Sequence, residues 1–154
     1  MPKLLTAYFG ELDYTDTSVF EFPDGLPGFE EERAFVFLRQ PHTEPLIFMQ
    51  SLISPALCFL MLPVMVACPD YQLSVAPEDL CKLHLPIESE PRIGEDILCG
   101  VLICTPRDGE PTVNLLAPVV VSLEARVGMQ VIQCGTPYSH KHPLLVQEEL
   151  AKCS

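Results

Sequence analysis

Residues 112–134 read TVNLLAPVVVSLEARVGMQVIQC, and their periodicity decides the fold class. Val113, Leu115, Ala117, Val119, Val121 and Leu123 fall on one side of an extended strand. Thr112, Asn114, Leu116, Pro118, Val120 and Ser122 fall on the other, which is the period of two that a half-buried strand requires. Glu124, Ala125, Arg126, Val127 and Gly128 break the run, after which Met129, Val131 and Gln133 alternate with Gln130, Ile132 and Cys134. So short a connection cannot carry a parallel crossover, so the second strand should run antiparallel to the first. Upstream, residues 97–105 are almost wholly apolar and lead into Pro106, Arg107, Asp108 and Gly109, whose Asp-Gly pair suits a tight turn. The three runs together predict a three-stranded meander at the centre of the core.

A chain of 154 residues is long enough to bury one continuous core without staples. Its 16 prolines leave few windows for a helix and punctuate short strand-like runs, which favours an all-β barrel or sandwich. The net charge is -12, and the first 32 residues hold eight acids against Lys3 alone. Affinity for nucleic acid comes from Lys and Arg on phosphates, so this balance speaks against direct RNA or DNA binding and fits a basic protein partner. Cys58, Cys68, Cys81, Cys99, Cys104, Cys134 and Cys153 form no Cys-x-x-Cys, are odd in number and follow no signal-peptide pattern, which suits reduced thiols in a cytoplasm. Residues 46–68 are the most hydrophobic part, but Gln50, Ser51, Ser54, Pro55 and Pro63 interrupt them well short of the roughly 20 residues a bilayer requires. Two core strands, at 46–52 and 56–62, explain that stretch better.

In chain order, residues 5–12 and 19–22 read as strands. Between Phe22 and Phe29, Pro23, Asp24, Gly25, Leu26, Pro27 and Gly28 must form a fixed loop in which Phe22, Leu26 and Phe29 serve as buried anchors. Gly25 and Gly28 are expected to adopt backbone conformations that other residues resist. Residues 34–39 resume as a strand. Residues 76–85 form the one convincing helix, with Pro77 in its first turn, Glu78 and Asp79 at the positive end of the dipole, and Leu80, Leu83 and His84 on one face before Pro86 stops it. Residues 87–96, with four acids against Arg92, read as an exposed loop.

These words raise a resemblance. Tyr8-Phe9-Gly10-Glu11, the Phe22-Pro23-Asp24-Gly25-Leu26-Pro27-Gly28-Phe29 loop, Met49-Gln50-Ser51-Leu52, Pro69-Asp70-Tyr71, Thr112-Val113-Asn114-Leu115-Leu116-Ala117-Pro118, Gly128-Met129-Gln130-Val131 and His142-Pro143-Leu144 occur in the order found in the flagellar assembly factor FliW family. The chain resembles that family across residues 7–145, and departs from it at Leu52-Ile53-Ser54 and at Cys68. The resemblance implies a small antiparallel β-barrel with one or two short helices over residues 1–145; the tail at 146–154 lies outside it and has the length of a short helix. It further implies a non-enzymatic cytoplasmic factor without cofactor. Such a factor binds flagellin and, when freed, binds and antagonises CsrA, a small basic regulator of translation. Flagellin's apolar terminal helices suit capture in a groove.

Candidate contact residues follow from chemistry. Asp70 and Tyr71, with Glu78 and Asp79, suit a basic partner, since tyrosine is favoured at interfaces and clustered acids attract positive charge. Asn114, an amide on a strand rich in Val and Leu, either closes a hydrogen-bond network or meets a partner, and the network is the better reading. His140 and His142 lack a third ligand nearby in sequence and fit a solvated turn better than a metal site. The rival class, a small thiol- or metal-dependent hydrolase built on the cysteines and these histidines, has no feature in the sequence that would generate a thiolate.

Overall fold

A computed structural model describes residues 3–7, 10–13 and 19–144. Its strands are β1 (Lys3–Thr6), β2 (Gly10–Asp13), β3 (Val19–Glu21), β4 (Ala34–Leu38), β5 (Ile47–Ser51), β6 (Cys58–Pro63), β7 (Ile97–Cys104), β8 (Thr112–Val113), β9 (Val119–Ser122), β10 (Val127–Gln130) and β11 (His142–Pro143). Two short helices, α1 (Val64–Ala67) and α2 (Pro77–Lys82), lie between β6 and β7. Strands β7, β6, β5, β4, β3, β10 and β9 are hydrogen-bonded in that order, and β9 pairs back onto β7, which closes a barrel. The all-β barrel expected from the prolines and the period of two is therefore what the chain forms. Every neighbour in the ring is antiparallel except β3 and β10, which meet in parallel through one pair, Glu21 with Val127.

The barrel is filled by Phe20, Phe22, Leu26, Phe35, Ile47, Met49, Met61, Val119 and Val121. A second cluster, with Val64, Ala67, Tyr71, Leu83, Cys99, Val101, Val120 and Val131, packs where the helices and the segment joining them cover the wall. Strands β7 and β9 thus bury both faces, and all four residues of β9 are buried. That two-sided burial corrects the half-buried strand expected for residues 112–123.

The same stretch is also broken. Val113 pairs with Ile103 and Val119 with Gly100, so six steps along one strand oppose three along the other. Residues 114–118 take up the excess in a loop that Asn114 closes, its Oδ1 accepting the Ala117 N–H at 3.0 Å. The meander of β7, β9 and β10 survives this interruption, because pairing resumes in the same sense beyond it.

Other boundaries shift for identifiable reasons. Residues 5–12 form not one strand but parts of β1 and β2, paired antiparallel from Lys3 with Asp13 to Thr6 with Gly10. Helix α2 ends at Lys82, earlier than the expected Leu85. His84 adopts φ 58°, and the His84 and Leu85 N–H groups donate back to the Cys81 and Leu80 carbonyls, a two-bond cap that finishes the helix before Pro86 is reached. His84 therefore turns out to solvent while Leu80 and Leu83 are buried. Helix α1, a single turn closed by the Cys68 N–H on the Val64 carbonyl, was hidden inside an apolar run read only as strand. The tail at 146–154 lies outside the described residues.

Candidate protein-binding surfaces

Residues 71–76 are neither helix nor strand, yet they are tightly held. Tyr71 is buried, its hydroxyl donates to the Leu115 carbonyl at 2.6 Å, and its ring stacks on Tyr138 at 4.2 Å between centroids. Desolvation pushes the Tyr71 hydroxyl pKa well up, which keeps it a donor at any ordinary pH. The Tyr138 hydroxyl accepts the Gln72 N–H at 2.8 Å. Gln133, 1% exposed, accepts the Ser74 N–H at 2.9 Å and donates to the Ser74 carbonyl at 2.8 Å. In sequence Gln133 alternates onto one face with Met129 and Val131, and a polar residue in that apolar alternation is the signal for this contact.

The expected contact residues take different positions on this frame. Asp70 is exposed at the start of the segment, and Glu78 and Asp79 begin α2 at its end, Glu78 exposed and Asp79 half-buried. None of the three makes an ion pair among the described residues, whereas Arg92 is engaged by Glu95 at 2.8 Å and by Asp96 at 3.5 Å. Tyr71 faces inward, so its role here is to anchor Asp70. Asn114 is half-buried in its turn, one residue from the carbonyl that receives Tyr71.

The loop at 22–29 is fixed as expected. Phe22 and Leu26 are buried, and Leu26 and Phe29 exchange backbone hydrogen bonds of 3.3 and 2.7 Å. Phe29 is not a buried anchor, being 42% exposed with its ring edge-on to Phe59 at 5.1 Å. Gly25 has φ 65° and is buried, Gly28 has φ 85° and is exposed, and Pro23, Asp24 and Pro27 face solvent. Asp24 lies 3.9 Å from the Lys82 ammonium, a solvent-exposed pair that joins this loop to the end of α2 only weakly. Beside the loop, the Glu32 carboxylate accepts from the Ser51 hydroxyl and, at 2.7 Å, from the Ser54 hydroxyl, so the departure at Leu52-Ile53-Ser54 is built into a bonded turn.

An apolar groove of about 480 Å³ opens on the outer face of β6 and β7. Leu46, Leu60, Leu62, Val66, Ile103 and Leu144 line it, with His42 and Glu44 at its rim. The sequence signal was in β6, apolar at every position and so needing cover on both faces.

Two of the thiols are held in their protonated form. Burial pushes Cys58 up to about 11 and Cys99 up to about 12, well above neutral pH. His140 is exposed and His142 sits half-buried on β11, and no group of three or more His, Cys, Asp or Glu side chains among the described residues could hold a metal ion. No helix among the described residues is long and apolar enough to cross a membrane.

The family model described as FliW protein matches residues 3–144. The chain belongs to the FliW family of flagellar assembly factors. A flagellar assembly factor FliW of Desulfitobacterium hafniense (strain DSM 10664 / DCB-2) is 34% identical over 149 residues, covering 96% of this chain and 93% of the relative. Another, of Geobacillus sp. (strain WCH70), is 34% identical over 152 residues, covering 97% and 99%. A crystal structure of the flagellar assembly factor FliW superposes with a TM-score of 0.79 at 32% identity, over 93% of this chain and 96% of that one. The FliW words in the sequence now have physical places: Pro69-Asp70-Tyr71 opens the anchored segment, and the motif from Thr112 to Pro118 runs from β8 into the loop that receives Tyr71.

Proposed function

We propose that this protein is a cytoplasmic partner switch. It binds flagellin and, when flagellin is withdrawn, binds CsrA and lifts its hold on translation. The observation that carries this reading is the pairing of two chemically opposite surfaces through one short helix. Val66 of α1 lines the apolar groove, and Asp70, first of the acids in question, follows three residues after the helix ends at Ala67.

Each surface suits one partner. An apolar helix laid in the groove would cover Leu60 and Ile103, gaining roughly 25 cal/mol for each Å² of apolar surface removed from water. Asp70, Glu78 and Asp79, without an ion pair among the described residues of a chain of net charge -12, attract a basic protein and set a repulsive field against RNA. A helix pressing on Val66 bears on α1, and through it on the position of Asp70, which gives the two partners a physical reason to exclude one another.

Titration with purified flagellin and CsrA tests this. Flagellin should displace CsrA from the wild-type protein, and Leu60→Glu should weaken flagellin binding at least tenfold, on the scale of placing a charge in an apolar contact, while CsrA binding holds. Flagellin binding that ignores Leu60→Glu would remove the groove from the account, and simultaneous binding of both partners would remove the switch.

A further inference from the structure

We propose that Gln133, seconded by Tyr138, is the positioning residue of the acidic surface, holding Asp70 and the α2 acids in one fixed arrangement. The proposal rests on the reading that those acids meet the basic partner, and adds what keeps them in register.

Residues 71–76 belong to no sheet, and fixing such a segment costs on the order of 1 kcal/mol per residue in backbone entropy. Something must hold it. The Gln133 side chain meets both backbone groups of Ser74, as a neighbouring strand would, and does so from a buried position outside any strand. Its own backbone is fixed, the Gln133 N–H donating to the Leu116 carbonyl at 2.7 Å. Tyr71, Gln72 and Ser74 are thus tied to Leu115, Tyr138 and Gln133, three points distant in sequence and rigid in the fold.

The geometry fixes register as well as proximity. Asp70 adjoins the Tyr71 anchor, and Ala76, the N-cap of α2, stands two residues beyond Ser74. A slip of one residue along this segment would move Tyr71 off Leu115 and Ser74 off Gln133 together, and would shift Asp70 relative to Glu78 and Asp79. A leucine or methionine would fill the space at 133 without the desolvation cost of a buried amide. What the amide adds is an acceptor and a donor for the backbone N–H and carbonyl of one residue of the segment, which an apolar side chain cannot offer. Preordering of this kind raises affinity by removing the ordering cost at the moment of binding.

The variants Gln133→Leu and Gln133→Glu separate positioning from bulk. In Gln133→Leu the Ser74 amide should exchange with solvent roughly ten- to a hundredfold faster, as loss of two ordinary hydrogen bonds implies. CsrA affinity should fall about five- to twentyfold as the acids lose their fixed arrangement, with flagellin affinity kept within about twofold. Gln133→Glu should recover both Ser74 protection and CsrA affinity as pH is lowered from about 8 to 6, because a protonated carboxyl can offer Ser74 one donor and one acceptor, the two groups that the amide directs at it. Wild type and Gln133→Leu should show no such recovery. Faster Ser74 exchange with CsrA affinity unchanged overturns the proposal. If Gln133→Leu fails to fold, Tyr138→Phe, which removes only the acceptor for the Gln72 N–H, carries the same comparison. The triple variant Asp70→Asn, Glu78→Gln, Asp79→Asn distinguishes the two levels. CsrA binding that ignores the triple variant refutes the acidic surface itself; binding that depends on the acids and ignores Gln133 refutes only the positioning.

Discussion

Replacing Gly25 and Gly28 by alanine, one at a time, separates two reasons for a glycine within four residues of chain. Both sit in the left-handed region, where a Cβ costs roughly 1–2 kcal/mol. At Gly28 nothing lies within 4 Å of an added Cβ, so the backbone term stands alone. At Gly25 the Cβ would lie 2.6 Å from the Glu30 Cα, 2.6 Å from the Phe29 carbonyl oxygen and 2.7 Å from the Glu30 carbonyl oxygen, all backbone atoms that cannot rotate aside. Relief requires residues 29 and 30 to withdraw, which strains the two hydrogen bonds between Leu26 and Phe29, each worth about 0.5–1.5 kcal/mol. The same movement lifts Phe29 from Phe59, a contact worth about 0.5–1.5 kcal/mol. After about 0.4–1 kcal/mol is returned by stiffening the unfolded chain, Gly28→Ala should lose about 1 kcal/mol and Gly25→Ala about 3 kcal/mol. Urea unfolding at neutral pH reads the difference directly. Equal losses at the two positions would show that the loop yields where the backbone contact says it cannot, and would refute the reasoning.

Tyr71→Phe should cost about 1–2 kcal/mol in the same assay, since it leaves the Leu115 carbonyl buried without its donor; no loss would mean water replaces the hydroxyl. Iodoacetamide at pH 8 should label the exposed Cys81, Cys104 and Cys134 quickly and spare Cys58 and Cys99, with Cys58 slowed about a hundredfold by its raised pKa alone, as peptide mapping would reveal. The two raised thiols also give an alkaline signature. Between pH 9 and about 11 to 12 the unfolded thiols ionise while the native ones stay protonated, so the native state binds more protons and stability falls as pH rises through that window. Cys99→Ala should flatten the fall, and an unchanged slope would assign it elsewhere.

The barrel was legible in the sequence because strand alternation and proline spacing are local signals, and β4, β5 and β6 fall within a residue or two of where they were read. What lay beyond reach was set by tertiary cover. The alternation across residues 112–123 reads as one strand because Asn114 and Pro118 look tolerable in it; only the partner strand β7 reveals the three surplus residues. Tyr71 reads as an interface residue because an exposed and a buried tyrosine are indistinguishable without the Leu115 carbonyl in view. Asp70, Glu78 and Asp79 are proposed from charge alone, whereas the groove needed Leu60, Ile103 and Leu144 to be brought together from three distant parts of the chain.

The most direct test of the two-surface account is the salt dependence of both partners measured side by side on the wild-type protein. Raising ionic strength from about 0.05 to 0.5 M shortens the Debye length from roughly 14 to 4 Å. The account predicts that the Kd for CsrA rises many-fold, because acids at the surface act at long range, while the Kd for flagellin stays within about twofold, because apolar contact is not screened. Equal responses from the two partners would contradict it and point to one shared surface governed by one kind of contact.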